Sequence, residues 1–122
     1  MLITPKTIEL LKTFMIYAVK ELGLKQTINL KLVSHGIPGL HTAGCYDPHD
    51  DKITVVIKNR ALADIFRTVA HELTHQSQAE RGDLDREKGE YNQDLEDEAN
   101  YMSGRLVRFF GQDNNGIYDD IT

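Results

Sequence analysis

Apolar residues along the chain change period twice, from helical to alternating and back. Ile8, Leu11, Met15, Ala18 and Leu22 recur at spacings of three and four, with Leu10, Phe14 and Val19 widening the stripe. That period predicts an amphipathic first helix. Thr4 is suited to cap it, Pro5 to open it, and Gly23 to end it. Ile28, Leu30 and Leu32 then alternate with Asn29, Lys31 and Val33, the period of a half-buried strand. Gly36-Ile37-Pro38-Gly39 reads as a loop, and Thr42 to Tyr46 as a short second strand. Asp47-Pro48-His49-Asp50-Asp51 is dense in turn formers, and β-branched Ile53 to Ile57 reads as a buried third strand.

The helical period returns at about Ala61 and runs to Glu80, with Asn59 as the candidate cap and Gly82 as the stop. Leu62, Ile65, Phe66, Val69 and Leu73 form its stripe. Asp83 to Glu90 is polar and reads as a loop. A last helix is expected from Gln93 to Phe110, stopping at Gly111, on the stripe Leu95, Ala99, Met102, Leu106 and Phe109. Residues 112–122 are expected to form a flexible acidic tail, with Asn115-Gly116 as a turn. The order is α-β-β-β-α-α. It predicts an α+β fold with helices on one face of a small three-stranded sheet that ends in an edge strand.

A chain of 122 residues suits one domain spanning 1–122. The net charge of −5 argues against a general nucleic-acid or membrane-surface binder, which needs a basic face. Cys45 is the only cysteine, so no intramolecular disulfide and no cysteine-rich zinc site can form. No apolar run reaches the ~18 residues of a spanning helix. Met1-Leu2-Ile3-Thr4-Pro5 lacks the layout of a signal peptide, so a cytoplasmic protein is expected.

The second predicted helix carries His71-Glu72-Leu73-Thr74-His75. Residues four apart share a helix face, so two imidazoles can converge on one ion at about 2.0–2.1 Å per bond. Glu72, beside the first histidine, is placed to act on water rather than on the metal. This is the HExxH arrangement of zinc metalloproteases. At 100° per residue the apolar stripe spans roughly −40° to +60° around Val69, and the histidines fall at about 200° and 240°. Packing alone does not make a separate two-histidine face. Surface histidines beside a solvated glutamate are the simpler account of the same residues.

A catalytic zinc takes three protein ligands and leaves one position open. No histidine follows His75, so a carboxylate from the last helix is the natural third donor. Glu96 projects about 100° from Leu95 and Glu98 about −60°. Glu96 is the first choice and Glu98 the second, while Asp94 and Asp97 suit a solvated helix start. Asn100, four residues after Glu96, shares its face and is placed to orient a ligand imidazole. Tyr91, Tyr101 and Arg105 are candidates for stabilising an oxyanion.

His71-Glu72-Leu73-Thr74-His75 followed by Glu96-Asp97-Glu98-Ala99-Asn100 resembles the gluzincin pattern of zinc metallopeptidases. It is similar to the ImmA/IrrE-type peptidases and to the minigluzincins. Ala43-Gly44-Cys45-Tyr46-Asp47, with Lys52-Ile53-Thr54-Val55, resembles their strand-turn-strand approach to the active helix. The resemblance covers roughly 42–110. It implies that His71, His75 and Glu96 bind Zn2+ and that Glu72 is the general base. It further implies that Thr42 to Tyr46, with Gly44 and Tyr46, is an edge strand that takes an extended peptide or protein substrate. Asn100 stands where many gluzincins carry aspartate. The expected activity is hydrolysis of peptide bonds. The alternative is a catalytically inactive or latent zinc-binding scaffold that acts as a protein-interaction module, and Glu72, which a structural site does not need, discriminates between them.

Overall fold

A computed structural model describes residues 3–36, 43–84 and 92–118. Helix α1 spans Pro5–Leu22, strands β1, β2 and β3 span Asn29–Val33, Gly44–Asp47 and Lys52–Val56, and helices α2 and α3 span Leu62–Glu80 and Gln93–Asp113. A 3-10 turn at Asn115–Tyr118 follows. The architecture is α+β, in the expected order. No helix among the described residues is long and apolar enough to cross a membrane. Residues 37–39 of the expected loop, Thr42 and 85–91 lie outside the described residues, as do 119–122.

Local chemistry accounts for α1. The Thr4 hydroxyl accepts from Thr7 N at 3.1 Å, satisfying one of the free donors of the first turn. Gly23 closes the helix at φ 66°, a left-handed conformation that costs glycine little. Helix α2 starts differently. Asn59 is not its cap but supplies a left-handed turn at φ 59°, and Ala61 caps without a side-chain bond. Arg60 fastens this end instead. Its guanidinium donates to Val56 O at 2.7 Å, to Asp64 O at 3.1 Å and to Thr68 Oγ1 at 2.6 Å.

The sheet order is β1-β3-β2, with β1 parallel and β2 antiparallel to β3. Among the described residues β2 therefore lies at an edge. Tyr46 pairs with Ile53 and Gly44 with Val55, so Tyr46, Ile53 and Val55 share the inward face, and all three are buried. Gly44 admits no side chain. A Cβ there would sit 2.5 Å from Thr68 Cγ2 and 3.1 Å from Thr54 O. Thr68 cannot swing clear, because its hydroxyl donates to Asp64 O and accepts from Arg60. The close approach of β2 to α2 depends on this glycine.

Helix α2 touches α1, α3, β2, β3 and the 3-10 turn. An aromatic cluster joins the helices: Phe14 stacks on Phe66 at 4.8 Å and meets Phe110 edge-on at 5.1 Å. Helix α3 buries Leu95, Ala99 and Leu106 of the expected stripe, with Met102 packed against the core, but Phe110 rather than Phe109 completes it, and Ser103 is buried too. Phe109 lies outside that cluster, exposed and covered on one face by Arg105. Nor does α3 stop at Gly111. The Tyr118 ring lies where a Cβ on Gly111 would be, 2.6 Å away, so this glycine gives the returning chain a landing place inside the helix.

Residues 112–118 are consequently not a loose tail. They continue α3 and then fold the 3-10 turn back, burying Ile117 completely. Ile117→Ala is expected to cost about 2–5 kcal/mol, the range for emptying a buried aliphatic site. Gly44→Ala is expected to cost about 1–3 kcal/mol through overpacking. Chemical denaturation measures both, and an Ile117→Ala protein as stable as wild type would show that the turn does not dock.

Candidate metal centre

Helix α2 is buried far beyond its apolar stripe. Glu72, Thr74, His75, Gln76 and Gln78 are all buried along with the aliphatic residues. The histidine side of α2 is thus not a free face, since α3 and β2 cover it. An open cleft of about 490 Å3 remains between the three elements. Its walls include His71, Glu72 and His75 from α2, Glu96 and Asn100 from α3, and Gly44, Cys45 and Tyr46 from β2.

Two imidazole nitrogens and the two oxygens of one carboxylate converge in this cleft. His75 Nε2 lies 3.1 Å from His71 Nε2 and 3.0 Å from Glu96 Oε1, and His71 Nε2 lies 3.4 Å from Glu96 Oε2. Four ligands at about 2.0–2.1 Å from a tetrahedral ion stand about 3.3 Å apart. The observed spacings, 3.0–3.4 Å and shared between the two Glu96 oxygens, are close to that figure. His71, His75 and Glu96 could hold a metal ion, and they are the one such group found among the described residues.

The second choice, Glu98, does not enter the cluster. It accepts from Gln78 Nε2 at 2.8 Å and pairs with Arg81. Gln78 in turn meets His75 Nδ1 at 2.7 Å, the position for which Asn100 was the expected partner. Asn100 stays on the cleft wall with its side chain exposed. Gln78 was missed in the sequence. The available signal was its place three residues after His75, on the same helix face. Gly44 and Tyr46 line the cleft, while Tyr91 lies outside the described residues. Tyr101 is exposed and Arg105 lies over Phe109, and neither lines the cleft.

The two carboxyl groups differ in setting. Glu72 is 7% exposed, whereas the Glu96 side chain is 36% exposed. Burial, and then the charge of Glu96, push the Glu72 carboxyl up from 4.5 to about 8. Burial holds His75 below its ordinary value, although Gln78 and Glu96 oppose this. Cys45 is also pushed up, by burial and then by Glu72, which keeps it a thiol rather than a thiolate.

No family model matches the chain, and neither the curated proteins nor the solved structures contain a match to it. The chemistry of the cleft has to carry the functional assignment.

Without metal, the Glu72 shift makes stability depend on pH. Below about pH 4.5 its carboxyl is protonated in both states and costs nothing. Between there and about pH 8 the unfolded chain gives up the proton and the folded chain keeps it. The Glu72 contribution to stability therefore falls as pH rises through that window. His75 works in the opposite sense, since acid protonates the unfolded imidazole more readily than the folded one. In chelator, Glu72→Gln should gain on wild type by a few kcal/mol, roughly, between pH 5 and pH 8.5. Urea titrations at both pH values measure this. A constant difference between the two proteins would mean that Glu72 is not desolvated in the fold.

Proposed function

We propose that the protein is a zinc-dependent metallopeptidase of the gluzincin type. His71, His75 and Glu96 hold the zinc, and Glu72 is the general base. The observation that carries the proposal is the triangle of two imidazole nitrogens and one carboxylate at tetrahedral spacing, with a buried second carboxylate beside it. A nitrogen- and oxygen-donor set with three protein ligands suits zinc that keeps one position open.

The fit also follows from counting protons. A neutral imidazole has one N–H and one lone pair, and an ionised carboxylate brings no proton. Three such groups packed within 3.4 Å of one another are short of protons to share. A cation resolves the crowding. Zinc supplies Lewis acidity: it polarises a carbonyl oxygen and brings the pKa of water to about 7.

The chain's own groups do the rest. Glu72 accepts a proton from the water that attacks the scissile carbonyl carbon. As the C–N bond breaks, it passes that proton to the leaving amine nitrogen. Its burial suits a group that must take up and release a proton near neutral pH. The edge strand β2 runs along the cleft, and an extended peptide or protein substrate would lie beside it. A purely structural zinc site has no need of a carboxylate held in so costly a place, which favours an enzyme over a scaffold.

Glu72→Gln is expected to keep one equivalent of zinc and to lose peptide cleavage by about 10²–10⁴-fold. Glu96→Gln and His71→Ala are expected to lose the zinc itself. Metal analysis of purified protein, with a peptide-library digest in the presence and absence of chelator, provides the measurement. Normal cleavage by Glu72→Gln would rule out its role as the base. Purified protein that takes up no zinc would rule out the metal site.

A further inference from the structure

Gln78 lies three residues beyond His75 and is fully buried. Its amide makes three hydrogen bonds. Nε2 donates to Leu95 O at 2.9 Å and to a Glu98 carboxylate oxygen at 2.8 Å, and Oε1 meets His75 Nδ1 at 2.7 Å. Glu98 is held in turn by Arg81, the residue that follows the last turn of α2.

The direction of this chain follows from the donors available. A backbone carbonyl and a carboxylate only accept, and the two N–H bonds of the Gln78 amide are both spent on them. Turning the amide over would set its oxygen against two acceptor oxygens in a buried place, leaving several groups unsatisfied. The amide oxygen therefore faces His75, and an oxygen can only accept. His75 Nδ1 must carry the proton. In a neutral imidazole that leaves Nε2 as a bare lone pair, and Nε2 is the atom that faces His71 and Glu96.

We infer that Gln78 is a positioning residue for the metal centre: it locks His75 in the Nδ1–H tautomer with the Nε2 lone pair aimed at the ion, and Glu98 and Arg81 hold it there. The inference rests on reading His71, His75 and Glu96 as a zinc site, and it adds the residue that orients one ligand. A ligand imidazole whose second nitrogen is hydrogen-bonded in this way is fixed in both ring orientation and tautomer. Here that happens before any ion arrives. The same amide ties α2 to Leu95 O, one residue before Glu96, so it also fixes the register at which α3 presents the third donor.

Two readouts separate this role from simple packing. The first is 15N NMR of the His75 ring in metal-free wild-type protein at pH 8, where the Nδ1–H tautomer is expected. The second is zinc affinity measured by competition with a chromophoric chelator. Gln78→Met, unbranched and close in volume, should lose the tautomer preference and weaken zinc binding by about 10–100-fold. The exchange Gln78→Glu with Glu98→Gln returns an acceptor to His75 Nδ1–H but takes the donor from Leu95 O, so it should restore the tautomer while zinc affinity recovers only in part.

Metal-free wild type with His75 in the Nε2–H form would overturn the inference even if zinc binds. Undiminished affinity in a folded Gln78→Met protein would overturn it too. Should that variant fail to fold, the wild-type tautomer and the exchanged pair still decide. Wild type with the Nδ1–H tautomer and no affinity for zinc would overturn the metal site while supporting the tautomer lock, so the two failures are distinguishable.

Discussion

A helix buried on nearly every side must find a partner for each polar group it carries, and α2 is such a helix. Its polar residues answer this in different directions. Thr74 donates back to Ala70 O within the helix. Gln76 donates to Gln26 O and to Glu80, and Glu80 accepts from the backbone of Lys25 and Gln26, which holds the chain after α1 against the end of α2. Gln78 reaches α3. His71, His75 and Glu72 face the one gap that neighbouring elements leave open. The site is a consequence of this constraint: it lies where the packing around α2 stops, and polar groups gathered in such a place are costly unless they are satisfied.

Much of this was legible in the chain. The period-3.6 stripes and the Thr4 and Gly23 signals gave α1 with its ends, because caps are local chemistry. The His71–His75 pair and Glu72 were visible because ligand spacing on a helix is also local. Glu96 was separated from Glu98 by its angle around α3 alone, and the two do face different partners. What escaped depends on neighbours distant in sequence. Gly111 looks like a stop signal, yet its missing side chain accommodates Tyr118. Ile117 sits in a polar stretch whose burial requires the chain to turn back. Gln78 looks like a polar residue of a solvated helix face, and Glu98 like a second candidate ligand, until α2 and α3 meet. The cover that α3 and β2 place over the two-histidine face was also out of reach, because a helical angle says which residues stand together, not what covers them.

Glu72 and Glu96 line one cleft but are held by different means, and their difference bears on what the cleft is for. Two carboxylates in shared low-dielectric surroundings repel, and the more buried one takes the proton. Glu72 is that one. Glu96 is more exposed and lies against the two histidines. Positive charge at His71, His75 and Glu96 reverses the balance: it offsets the Glu96 charge and favours ionised Glu72. A cation in the triangle, as proposed, would therefore favour the ionised form of Glu72, the direction a general base requires. A carboxylate at this position that served only solubility would lie on an exposed face, where it would cost nothing. Its burial beside the triangle makes sense when its charge is called for by what the triangle holds.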